Sequence, residues 1–259
     1  MTQSERRRYL IASLLKEQPQ YSGIELPEDG QEQNYLLRAL LNVRMPRPVS
    51  REFSEVQDAY LKEEIRRKGI TDIADLQPVE QGLFLWKGDI TTLRCDAIVN
   101  AANRQMLGCF CPNHGCIDNA IHTFAGVQLR LACAELMKRQ GHEEETGRAK
   151  ITPAFQLPCK YVIHTVGPVI RGRLTETDKN LLASCYCSCL ELAEENGLKS
   201  IAFCCISTGE FHFPNDIAAE IAVQTVRKYK ARTHSGIEVI FNVYKETDCN
   251  IYRELLGSD

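Results

Sequence analysis

From Gly82 onward the chain alternates short apolar runs with longer amphipathic segments, and that alternation leaves few folds open to it. Runs at 83–87, 97–100, 161–166, 200–206 and 237–243 have the length of buried strands, while 117–139, 177–196, 215–230 and 248–256 carry apolar residues at helical spacing. Strands separated by helices require crossover connections, so the expected product is an α/β domain with helices on both faces of a parallel or mixed sheet. Ligand chemistry in such folds gathers in the loops at the carboxyl ends of strands.

The first 79 residues follow a different rule. Leu10 and Leu14, Leu36 and Leu40, and Val56 and Tyr60 sit at helical spacing within 9–17, 32–44 and 54–68, and Pro19, Pro27, Pro46 and Pro48 mark the breaks. We read 1–79 as a helical extension packed on a core formed by 80–259. Basic residues in the extension are interleaved with acidic ones and the formal net charge is −3, which argues against a nucleic-acid partner. The opening segment MTQSERRRYLIASLLKE begins a helix and not a secretion signal, because Lys16 and Glu17 interrupt its apolar stretch. No run approaches the roughly 18 apolar residues that cross a bilayer. Twelve cysteines in a chain of this kind are expected as reduced thiols, mostly buried, in a cytoplasmic protein, and the want of a coiled-coil seam makes a monomer the expected state.

Four loops carry chemistry. Gly88-Asp89-Ile90-Thr91 offers a tight turn and a carboxylate able to accept from a neutral donor. In AIVNAAN, 97–103, Asn100 suits a buried tie between strand and loop, and Asn103 a contact with substrate. In 107–116, Cys109, Cys111, His114 and Cys116 fall within eight positions, with Gly108, Pro112 and Gly115 supplying turns; thiolate and imidazole ligands suit zinc. Four ligands would close the ion into a structural site, whereas three would leave a position for water or substrate, and the spacing allows either. Ser207-Thr208-Gly209-Glu210-Phe211, continuing to Pro214, can cradle a diphosphate on backbone N–H groups, and neither GxxxxGK[ST] nor GxGxxG occurs.

In this order GDIT, AIVNAAN, the 107–122 segment, Glu145–Pro153, YVIHTVGP and STGEFHFP resemble a macrodomain, and LGCF…PNH-G-CIDNAIH, followed by the stretch that ends at Arg130, is similar to the zinc-containing bacterial and fungal branch of that family. The resemblance spans about 80–257 and implies a three-layer αβα macrodomain with a mixed central sheet. It implies further that Asp89 and Ile90 receive the adenine, Asn103 addresses the distal ribose, and Ser207, Thr208, Gly209, Glu210 and Phe211 hold the diphosphate. Zn2+ would be held by Cys109, His114 and Cys116, with Cys111 as a departure from the branch's pattern, and Asp118 and His122 would support a ligand or the ribose.

The activity implied is zinc-dependent hydrolysis of mono-ADP-ribose from protein side chains, with Asn103, Cys109, His114, Cys116 and Asp118 at the reaction. An Asp- or Glu-linked modification fits best, because a carboxylate leaves readily and no strong acid stands at a defined position for an arginine N-glycoside. A non-catalytic ADP-ribose-binding module and an O-acetyl-ADP-ribose deacetylase are the alternatives. Family context suggests a lipoyl-carrier protein related to glycine cleavage as the modified partner and a sirtuin-type ADP-ribosyltransferase as its counterpart.

Overall fold

The computed structural model describes residues 1–21 and 23–257. Three helices open the chain: α1 Gln3–Glu17, α2 Gly30–Val43 and α3 Arg51–Lys68. Each begins earlier than its apolar period does, because its first turn is held by a polar cap. Thr2 and Glu5 form a capping box, the Asp29 carboxylate accepts from the Gln31 and Glu32 N–H groups, and Ser50 accepts from Phe53.

The central sheet has seven strands in the order β2-β3-β9-β8-β5-β7-β6, and a separate parallel pair joins β1 to β4. The ranges are β1 Thr71–Asp72, β2 Pro78–Glu80, β3 Leu83–Lys87, β4 Leu93–Arg94 and β5 Ala97–Ala102, then β6 Ala149–Pro153, β7 Tyr161–Val166, β8 Ser200–Phe203 and β9 Glu238–Val243. The five inner strands run parallel, and only the edge strands β2 and β6 are antiparallel to their neighbours, so the sheet is mixed as expected. The sequence reading missed both edge strands and the β1–β4 pair, which are short or only partly buried and lack a continuous apolar run. It also carried β8 to 206, whereas pairing ends at Phe203 and 204–206 continue as loop, with Cys204 and Ile206 buried and Cys205 partly so.

The segment 117–139 is two helices, α4 Ile117–Ala125 and α5 Val127–Gln140, broken at Gly126. Gly126 has φ +94°, and a Cβ there would lie 2.7 Å from the Gln57 and Gln128 side chains, so the break is both conformational and steric. The other helices are α6 Glu176–Glu195, α7 Asn215–Thr233 and α8 Glu246–Leu256. Helices α6, α7 and α8 pack in sequence on one another, while α4 and α5 pack together and against α2 and α3. The resulting three layers enclose a core whose strand residues Ile98, Val99, Ile163, Ile201 and Ile240 are fully buried.

The N-terminal helices hold an apolar cluster of their own, built on Leu10, Ile11, Leu14, Leu37, Leu40, Phe53 and Leu61, which Val127 of α5 completes. Polar ties accompany it: Gln57 accepts from the Val127 N–H at 3.0 Å, and Arg130 donates to the carbonyls of Leu41, at 3.2 Å, and Arg44, at 2.5 Å. No described helix is long and apolar enough to cross a membrane.

Candidate active site

The loop between β5 and α4 folds back on itself. Met106, Gly108 and Asn113 all take positive φ, and Asn103 donates from Nδ2 to the Gly108 carbonyl at 3.0 Å while its Oδ1 accepts from the Gln105 N–H at 3.0 Å. Gly108 is packed so closely on the His122 ring that a Cβ would sit 2.8 Å from its Cγ. This folding brings Cys109, His114 and Cys116 together, with their ligand atoms all within 4.8 Å of one another, and leaves Cys111 exposed outside the group. Tetrahedral zinc sets thiolate–imidazole edges of about 3.5 Å, and Cys109 Sγ lies 3.6 Å from His114 Nδ1. Burial pushes the Cys116 thiol up to about 12, so its thiolate form calls for a cation beside it. The donor set and its spacing therefore fit a zinc ion held through three ligands.

The remaining ring nitrogen of His114, Nε2, lies 3.4 Å from Glu210 Oε1 in the loop after β8. The sequence reading placed Glu210 among the diphosphate contacts; the structure adds this contact of its side chain. That loop is stapled internally by Phe213 N–H to the Ser207 carbonyl at 2.9 Å and by His212 N–H to the Gly209 carbonyl at 3.0 Å. Among the described residues the N–H groups of Gly209, Glu210 and Phe211 make no backbone hydrogen bond in the loop, which leaves them as donors for an anion. The neighbouring 167–170 segment closes against it: the Ile170 N–H donates to the Phe211 carbonyl at 2.9 Å, and a Cβ on Gly167 would stand 2.0 Å from Ser207 Oγ.

Asp89 caps the short turn Ile90–Thr92. Its Oδ1 accepts from the Thr91 N–H at 3.0 Å and from the Thr91 hydroxyl at 2.6 Å, while Oδ2 pairs with Lys68 of α3 at 2.8 Å. Burial works to raise the Asp89 carboxyl, but Lys68 and Thr91 together hold it below its ordinary value. Ile90 is buried beneath it at 2% exposure.

Asp118 and His122 face inward. Asp118 accepts from Asn100 Nδ2 at 2.8 Å and lies 3.5 Å from His122 Nε2, and burial, opposed by Asn100 and Arg130, lifts its carboxyl to about 6. The same Asn100 amide meets His164 Nδ1 at 3.1 Å, and His164 Nε2 meets Thr152 Oγ1 at 3.0 Å. Asn100 and His164 are register partners on β5 and β7, so Asn100 is buried as expected but braces its strand against β7 and α4, where the sequence suggested a tie to the loop. His122, Cys133 and His164 also converge within 4.8 Å, but both His164 nitrogens are occupied by this bracing. Asp118 thus has core partners in Asn100 and His122, and its charge also acts on the nearby Cys116 thiol.

Residues that the sequence reading passed over hold the loop in place. Asn119, fully buried, donates from Nδ2 to the Cys111 carbonyl at 3.0 Å and accepts on Oδ1 from Arg38 of α2 at 2.9 and 3.2 Å; Arg38 also donates to the His114 carbonyl at 3.0 Å. Asn119 follows His114 closely and was within reach of a local reading, but nothing near Arg38 marks its partner 76 residues away.

An αβα fold on a mixed sheet, with a loop of unpaired N–H donors beside a thiolate–imidazole group, has the features of a nucleotide-handling domain, and comparison with known proteins places it. Residues 99–222 match the Macro domain model, and the chain belongs to the macrodomain family. It is 60% identical to a Treponema medium protein named protein-ADP-ribose hydrolase, over 99% of this chain and 100% of that one. A protein of the same name from Staphylococcus aureus strain MRSA252 is 50% identical, over 98% of this chain and 96% of that one. Among solved structures, the Trypanosoma brucei macrodomain in complex with ADP-ribose superposes with a TM-score of 0.66 at 30% identity, covering 89% of this chain and 97% of that one.

Proposed function

We propose that this chain hydrolyses mono-ADP-ribose from Asp or Glu side chains of proteins in a zinc-dependent reaction. The hydrolase class rests on near-full-length identity to proteins named protein-ADP-ribose hydrolase. The zinc dependence rests on one observation: Cys109, His114 and Cys116 converge while Cys111 stays outside, a donor set of three that leaves a coordination position open. When bound there, zinc supplies a Lewis acid beside the distal ribose.

The chain's own residues do the rest. Gly209, Glu210 and Phe211 present N–H groups to the diphosphate, and Asp89 with Ile90 receives the adenine, so the ligand spans the strand ends with its distal ribose at the metal loop. Asn103, at the mouth of that loop, positions the ribose, and such positioning contributes a large part of rate acceleration. Asp118 acts at one remove, by holding Asn100 and the start of α4 under the loop. The bond broken joins ribose C1 to the side-chain carboxylate; water supplies the new hydroxyl, and the carboxylate departs without needing a strong acid. In this reading the modified partner is a lipoyl-carrier protein related to glycine cleavage, modified by a sirtuin-type ADP-ribosyltransferase, and the free thiols suit a reaction in the reducing cytoplasm.

Single-turnover cleavage of a defined Glu-linked mono-ADP-ribosyl protein, with and without zinc, tests the proposal. Restoration of cleavage by stoichiometric zinc supports it; equal cleavage by the metal-free protein overturns the metal's role, and faster cleavage of an arginine-linked substrate overturns the linkage.

A further inference from the structure

We infer that helix α2 of the N-terminal extension is a structural part of the metal loop, and that Arg38 and Asn42 are the positioning residues that hold this loop in ligand geometry. The inference rests on the zinc reading for its consequence and on hydrogen-bond geometry for its substance.

The segment from Leu107 to Gly115 contains no helix or strand, and three residues at or beside it adopt left-handed backbone: Met106, Gly108 and Asn113. A loop of that kind does not hold three ligands in place by itself. Four side-chain bonds from outside the segment secure its backbone. Asn103 and Asn119 take the carbonyls of Gly108 and Cys111, and the other two come from α2. Asn42 Oδ1 accepts from the Asn113 N–H at 2.9 Å, and Arg38 Nη2 donates to the His114 carbonyl at 3.0 Å. These two bonds grip the ligand His114 and the residue before it.

Arg38 and Asn42 stand four apart and so share one face of α2. Both are tied to α4 as well as to the loop. The Arg38 fork reaches Asn119 Oδ1 through Nε and Nη2, and Asn42 Nδ2 donates to Thr123 Oγ1 at 2.9 Å, whose hydroxyl in turn donates to the Asn119 carbonyl at 2.7 Å. Asn119 closes the frame, since its own N–H meets Cys116 Sγ at 3.4 Å. Asn42 is 1% exposed and Asn119 0%, so water does not replace these bonds readily. The extension thereby contacts the loop at His114 and, through Asn119, the ligand Cys116.

The test uses the full chain and two readouts, hydrogen exchange of the 109–116 amides in zinc-free protein and zinc affinity by competition with a chromophoric chelator. Arg38→Ala and Asn42→Ala are expected to lose at least tenfold in loop protection, the Asn113 amide above all in Asn42→Ala, and about 10–100-fold in zinc affinity. Arg38→Lys, which reaches one carbonyl but lacks the fork, is expected to recover part of both and serves if an alanine variant fails to fold. Gln57→Ala breaks a different tie between extension and core, and is expected to lower thermal stability with loop protection and zinc affinity unchanged. Parental protection and affinity in Arg38→Ala, or equal losses in Gln57→Ala, overturn the inference. If the parent takes up no zinc, the metal reading fails, and the exchange data from zinc-free protein alone decide the clamp.

Discussion

His114 Nε2 lies 3.4 Å from Glu210 Oε1, so one imidazole links the loop before α4 to the loop after β8. Its other nitrogen, Nδ1, faces Cys109 Sγ. An imidazole that ligates through Nδ1 donates its Nε2–H, and a carboxylate placed to accept it fixes the tautomer and the ring plane.

Glu210→Ala is therefore expected to weaken zinc binding by about tenfold, with Glu210→Gln intermediate because its amide oxygen still accepts. Chelator competition measures this directly. The Glu210 side chain is 68% exposed, which puts the effect at the low end of the range for such partners. An unchanged zinc affinity in Glu210→Ala would remove the carboxylate from the metal site.

Cys111→Ser is expected to keep a full equivalent of zinc and most of the turnover, since Cys111 is exposed and lies outside the converging group. His114→Ala should lose the metal and nearly all cleavage, yet retain the α/β fold and a measurable affinity for ADP-ribose, because the residues proposed to hold the adenine and the diphosphate lie on other loops. Metal analysis, near-ultraviolet circular dichroism and cleavage on the same preparations give the comparison. Equal zinc loss in both variants would redraw the site as a closed set of four ligands.

Asp89→Ala is expected to cost about 1–3 kcal/mol of ADP-ribose affinity by calorimetry, if the carboxylate accepts from the adenine as proposed. Asp89 also caps Thr91 and pairs with Lys68, so the folding stability of the variant must be measured beside its affinity. Full affinity with reduced stability would leave Asp89 as a cap alone.

Gly167→Ala should disturb the loop proposed to hold the diphosphate by steric contact, since the added Cβ would approach Ser207 Oγ to 2.0 Å. The expected cost is about 1–3 kcal/mol of stability, accompanied by weaker ADP-ribose binding. If calorimetry found parental binding in this variant, the loop would be less tightly coupled to Gly167 than the geometry requires.

Acid should destabilise the protein through its buried histidines. Burial lowers His164 from 6.5 to about 4, so the stability tied to its neutral form is fully present above pH 6.5 and is lost as pH falls toward 4, a change of roughly 3 kcal/mol. Burial also depresses His122, in the same direction. Asp118, raised from 3.8 to about 6, acts oppositely, regaining stability as pH falls through that interval, but it is one carboxyl against two imidazoles. Urea midpoints at pH 7 and 4.5 should therefore fall in the parent and fall less in His164→Gln. An identical pH slope in the two proteins would rule out His164 as a source of the acid sensitivity.

The sequence by itself determined the inner sheet and the position of the cysteine–histidine loop. Both are local signals. A buried parallel strand is a continuous apolar run, as at 161–166, and a ligand cluster within eight positions is visible before any folding is considered. Short and edge strands such as 78–80 and 149–153 escaped because partial burial leaves them without that run, and the division of 117–139 turned on a contact between Gly126 and Gln57 that no local period records. Tertiary structure alone decided which thiols converge, since spacing allowed Cys111 as readily as its neighbours and only the turns at Gly108 and Asn113 direct it outward. It also decided what holds the site. Arg38 and Asn42 arrive from α2, Glu210 from beyond β8 and His164 from β7, and each acts through directional bonds formed when distant segments pack, which periodicity does not encode.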